Sequence, residues 1–101
     1  MAYIDKKFLD IVPSPSPDVA GYFVYLAPET TALDYDSETY DVGMQIEDID
    51  LYALFGDING NYNVGVAAYD DAANISDILE VAHAFPFDLQ APLPPAAATI
   101  S

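Results

Sequence analysis

The chain has 101 residues, 52 % of them apolar, with eight Tyr, no Trp and no Cys, so it is one domain with a modest core and neither an acidic disordered tail nor a disulfide framework. Its 17 acidic residues face two lysines, for a formal charge of −15. Lys6 and Lys7 cannot neutralise a nucleic-acid backbone or draw the chain to an anionic membrane, and no apolar run approaches the ~20 residues of a membrane helix. Such a charge keeps a protein soluble; a saline or calcium-containing medium is the less favoured explanation.

In chain order, Met1–Val12 has no uninterrupted apolar region after its two lysines and does not read as a signal peptide. Lys6–Val12 alternates weakly as a strand, with Phe8 or Leu9 setting its buried face. Pro13, Pro15 and Pro17 then force an extended connection. Gly21–Leu26 is a clear strand, with Tyr22, Val24 and Leu26 on one face and Phe23 and Tyr25 on the other. Ala27–Ser37 reads as loop, and Thr39–Met44 as a short edge strand interrupted by Asp41 and Gly43. Ile49 and Leu51, with Ala53 at the limit, make the next strand, after which Leu54 and Phe55 turn into the core.

Residues 56–61 read as a turn built on Asn-Gly. Gly60–Asp70 is the strongest strand: Tyr62, Val64, Val66 and Ala68 share the core face, and Asn63, Gly65 and Ala67 the other. A polar loop runs to Asp77. Ile78–Ala84 suits a strand better than a single helical turn ending near Pro86. Ala91–Ser101 is Pro/Ala-rich linker or terminal extension, leaving residues 1–90 as the domain. Short strands with frequent turn signals describe an all-β antiparallel sandwich or barrel.

Two stretches carry a family resemblance. Val12–Leu26 resembles the B–C connection and C strand of bacterial fibronectin type III modules, and Asn61–Asp77 resembles their F strand and F–G loop. The resemblance implies an immunoglobulin-like, fibronectin type III-like β-sandwich. Tyr62 would be the tyrosine-corner residue, bonding back to the preceding turn, and Leu54 or Phe55 the apolar plug ending strand E. Three departures stand out. Leu9 or Ile11 lies near the place of the usual Trp, and Ala73 replaces a Gly that positive φ would favour. Strand A is short or missing: the first residues supply a stub, the module is truncated, or the C-terminal segment covers that edge. FDLQAPLPP looks like the join to a following module.

Chemistry-bearing patterns are sparse. His83 is the only histidine, expected as a solvent-facing strand residue, and no nucleophile motif accompanies it. Asp57, Asn59 and Asn61 resemble a fragment of a calcium loop, but the twelfth place, which needs Glu, holds Ala68, so a turn is the better reading. Asp34, Asp36 and Glu38 read as a solvated loop. Phe23, Tyr25, Tyr35, Tyr40, Tyr52 and Tyr69 either stack on sugar rings or pack across strands. Asn74-Ile75-Ser76 fits a glycosylation acceptor but lies inside the family-like turn.

The expectation is a non-catalytic, monomeric spacer or protein–protein interaction module of a larger secreted or cell-surface protein. It has no cofactor, no assigned metal or catalytic residue, and no nucleic-acid or membrane partner. The alternative is a carbohydrate-binding module using exposed tyrosines, with calcium as a possible stabiliser and polysaccharide as partner.

Overall fold

In the computed structural model, which describes residues 2–5, 8–56 and 58–88, the chain is mostly antiparallel β in two sheets. The first sheet has the order β1 (Ala2–Asp5), β2 (Phe8–Ile11), β5 (Ile49–Asp50). The second has the order β4 (Glu38–Gly43), β3 (Val19–Pro28), β6 (Asn59–Asp70), β7 (Leu79–Asp88). The three spaced prolines after β2 cannot donate to a ladder or continue a helix, so the chain leaves the first sheet and enters the second as β3.

The β3–β6 register sets Tyr22 opposite Ala68, Val24 opposite Val66 and Leu26 opposite Val64. Period two then carries all six to one face. There Tyr22, Val24, Leu26, Val64 and Val66 meet Leu9, Ile11, Ile49 and Leu51 in one apolar cluster that joins the two sheets. Each fully buried aliphatic side chain contributes about 1.5–3 kcal/mol. Between the two candidates for the buried face of β2, the structure selects Leu9; Phe8 is exposed.

β4 is an edge, as its interleaved Asp41 and Gly43 predict. Residues 79–84 are strand and not helix, and β7 continues to Asp88 with Pro86 in it. That proline is tolerated because β7 is the other edge of its sheet. At the N-terminus, Ala2–Asp5 pair with β2, setting Ile4 opposite Leu9, so the first residues do supply a strand.

Two expectations are corrected. Leu51 and Ala53 are not strand: β5 ends at Asp50, and Leu51–Phe55 form the helix α1. Asp50 is the reason. Its carboxylate accepts the amides of Tyr52 (2.9 Å) and Ala53 (3.3 Å), capping orphan donors of the first turn. Gly56, at φ +79°, ends the helix and donates its amide to the Tyr52 carbonyl at 2.8 Å. The second correction lies just beyond that cap. The helix ends at Gly56, and Asn59 and Gly60 belong to β6, opposite Asp88 and Phe87, and form no hairpin turn. Leu54 and Phe55 both pack on the core from α1. Residues 89–101, with the Pro/Ala segment and most of the FDLQAPLPP join, lie outside the described residues.

Candidate functional site

The outward face of β6 is also covered, by loops 29–37 and 71–78. Asn63, Gly65 and Ala67 are buried there beside Tyr25. A Cβ on Gly65 would sit 2.7 Å from Ile78 Cγ2 and 2.9 Å from Leu33 Cδ1, so both loops reach over this glycine. The Tyr35 hydroxyl links them by donating to the Ser76 carbonyl at 2.9 Å.

Asn63 fastens this cover. Its side-chain nitrogen points at the carbonyls of Thr31 (2.9 Å), Pro28 (3.3 Å) and Glu29 (3.4 Å), while its oxygen accepts the Ala84 amide at 2.8 Å. Only 1 % of Asn63 is exposed, and a buried amide without such partners would cost about 1–3 kcal/mol. The same contact explains the irregular edge. The β6–β7 register shifts between Tyr62 and Val64, and Ala84 takes φ +52°, turning its amide to Asn63. Sequence reasoning missed Asn63, although one polar residue in a row of Gly and Ala was a legible sign of close packing.

The aromatic candidates divide between the two faces. On the outward face, ring contacts run Tyr35–Tyr25 (6.3 Å, 75°), Tyr25–Phe23 (6.3 Å, 71°) and Phe23–Tyr69 (4.4 Å, 31°), so these rings do not share a plane. Tyr40 packs on Phe55 at 5.2 Å, and Tyr52 is exposed on α1. Burial, then the nearby Tyr35, raises the Tyr25 pKa above its ordinary value. The hydrogen bond to Asp41, 2.8 Å long, raises that of Tyr69. Burial, then the bond to Glu38, raises that of Tyr40.

Three carboxylates, one in a loop and two at strand ends, hold local turns. Asp34 accepts the Asp36 amide at 2.9 Å, and Asp41 accepts the Gly43 amide at 2.8 Å. Asp70 accepts the amides of Ala72 and Asn74 and the Asn74 side chain, bonds that lower its pKa, the Asn74 side chain most. The Asn74 side-chain amide of the glycosylation-like triplet is therefore engaged with Asp70. Ala73 has φ +65°, a left-handed conformation that strains a residue carrying a Cβ.

The turn expected to receive the Tyr62 hydroxyl includes Asp57, which lies outside the described residues. Among the described residues its hydroxyl has no hydrogen-bond partner, and its ring packs on Phe87 at 6.2 Å. Tyr22 makes a tie of that kind, accepting the Ser14 amide at 2.9 Å across the proline connection. Leu9 and Ile11 both lie in the core. His83 faces solvent, its Nδ1 3.6 Å from Glu80 Oε1. Asp57 lies outside the described residues, and Asn59 and Asn61 belong to β6. Among the described residues, no three His, Asp or Glu side chains converge to hold a metal ion, and no helix is long and apolar enough to cross a membrane.

Where β3 ends and β6 begins, a cavity of about 380 Å³ is lined by Leu26, Pro28 and Tyr62 together with Asp34, Asp36 and Glu38. Its volume is in the range that accepts a small ligand or one long side chain. No family model matches this chain, and no curated protein or solved structure matches it.

Proposed function

We propose that the two sheets close as an immunoglobulin-like β-sandwich similar to fibronectin type III, and that the chain is a non-catalytic spacer or protein-interaction module of a larger secreted or cell-surface protein. The order β1-β2-β5 suits strands A, B and E, and β3-β6-β7 suits C, F and G, with β4 extending the second sheet. In that reading Ala2–Asp5 is a short strand A, and the F–G loop is the one stiffened at Ala73.

The observation that carries the functional reading is the β3–β6 pairing. It runs from Val19 opposite Asp70 to Pro28 opposite Tyr62. Ten residues at strand rise make a rod of about 33 Å, with a loop cluster at each end. The mechanism is passive: the rod sets the separation of whatever the two ends contact. The loop carboxylates and hydroxyls that hold backbone amides are consistent with this role.

Pulling single molecules of the chain by its ends tests it. A spacer gives one all-or-none rupture, whereas several low-force steps contradict the reading. Calorimetric titration with xylan and cello-oligosaccharides is the second arm. Saturable heat that disappears in Tyr35→Ala would replace this reading with the carbohydrate-binding one, which draws on the exposed Tyr35 and Tyr52. A melting midpoint raised by calcium would add a stabilising ion.

A further inference from the structure

We propose that the cavity at the end of β3 receives a lysine or arginine side chain presented by a protein partner, an inference that rests on the interaction-module reading. Its floor is apolar, made by Leu26, Pro28 and the Tyr62 ring, and its rim carries Asp34, Asp36 and Glu38. A long basic side chain matches that division: its methylene stem lies on apolar surface while its charged head stays at a polar rim. The Tyr62 ring adds a face to which a cation is attracted.

Charge complementarity decides the occupant. Lys6 and Lys7 are the chain's only basic residues apart from His83, and both lie outside the described residues. The rim carboxylates therefore have no basic side chain beside them among the described residues, and nothing described donates to Asp36. A second copy of this chain, at −15, is repelled. An apolar side chain would cover the floor and desolvate the Asp36 carboxylate without compensation, while Asp34 and Glu38 keep the local donors Ser37 and Tyr40. A basic one satisfies floor and rim together.

The cavity is also formed in advance. Its wall at Pro28 and Thr31 is held by the Asn63 amide and by the Thr31 amide bonding to the Pro28 carbonyl at 2.9 Å. Little ordering cost remains when a side chain enters.

The test is an amide-resolved NMR titration of the full chain at roughly 0.15 M salt with the blocked peptide acetyl-Gly-Lys-Lys-Gly-amide. Its analogue with norleucine for lysine, and calcium chloride, are the other arms. Saturable shifts should be confined to residues 26–38 and Tyr62, and the norleucine peptide should give none. Asp36→Asn with Glu38→Gln should weaken binding about fivefold, while Asp77→Asn, an acid outside the cavity, should not. All three positions are exposed, and Asp36→Asn alone is the arm if Glu38→Gln disturbs Tyr40. Shifts spread over every acidic loop and unaffected by the rim variants would overturn the proposal. So would localised shifts with calcium and none with lysine, or no shifts at all. None of these results bears on the single-rupture and polysaccharide measurements, which read the module assignment separately.

Discussion

The two faces of the β3–β6 pair are both buried, and different physics holds each. On the inward face, Val24, Leu26, Val64 and Val66 press against Leu9, Ile11, Ile49 and Leu51 of the other sheet and the start of α1. That contact is non-directional: any set of side chains of the right volume would keep the sheets together. On the outward face the cover is two loops that meet over the missing side chain of Gly65, the first of them tied by Asn63 to three carbonyls while Asn63 also accepts the Ala84 amide of β7. Apolar burial says that the sheets meet. Hydrogen bonds and close approach say where the loops lie, which matters more for a module whose contacts are made at its ends.

The difference can be broken from either side. The largest effect is expected on the inward face. Leu9 is fully buried, so Leu9→Ala leaves a cavity and should cost about 2–5 kcal/mol in urea unfolding. Gly65→Val tests the outward face and sets two principles against each other. Valine is the better strand former by up to ~1 kcal/mol, but its Cβ would meet Ile78, Leu33 and the Leu79 carbonyl oxygen. Overpacking wins, and a net loss of about 1–3 kcal/mol is expected. Because the two sites lie on opposite sides of the sheet, the double variant should be additive within about 0.5 kcal/mol. Strong coupling would mean that the faces are not independent.

The smallest expected effect is alkaline. Burial raises the Tyr25 pKa in the folded chain, so folding favours the neutral phenol. Its contribution is complete below the unfolded value of 10.0 and is lost as pH rises through the higher folded value. Urea midpoints measured at pH ~9 and ~11 should therefore fall, and the fall should shrink in Tyr25→Phe, which keeps the ring. An unchanged slope would remove Tyr25 from the account. Tyr69, through its bond to Asp41, and Tyr40, through burial and then its bond to Glu38, shift in the same direction and add to the loss.

The inward face was legible because period-two alternation is its whole specification: residues 21–26 and 62–68 announce it, and residues 79–84 follow. The helix α1 was not, since five residues are too few to show a period and Asp50 is one acid among many until its carboxylate is seen on two amides. The outward cover was hidden for another reason. Leu33, Tyr35 and Ile78 are single apolar residues in polar loops, and only the folded chain gathers them over Gly65 and Tyr25. The tie at Tyr22 was not legible because Tyr22 and Tyr62 both begin apolar runs, and only the path of the proline connection brings Ser14 to Tyr22. For the cavity, the acids were visible as a loop, but its floor is assembled from the ends of two strands.

Asn63 fixes the turn after β3 and the facing edge of β7 without being needed to join the sheets, and amide hydrogen exchange in two variants is the sharpest test of that role. Asn63→Asp keeps an acceptor for the Ala84 amide but loses the donor to the carbonyls at 28, 29 and 31. It should therefore release the Thr31 amide, which bonds to Pro28 across that turn, by about tenfold or more while Ala84 stays protected. Asn63→Leu should release both, with the amides of Val24 and Val66 remaining among the slowest to exchange. Thr31 and Ala84 as protected in both variants as in the parent chain would contradict the claim, and so would a collapse of all four amides together.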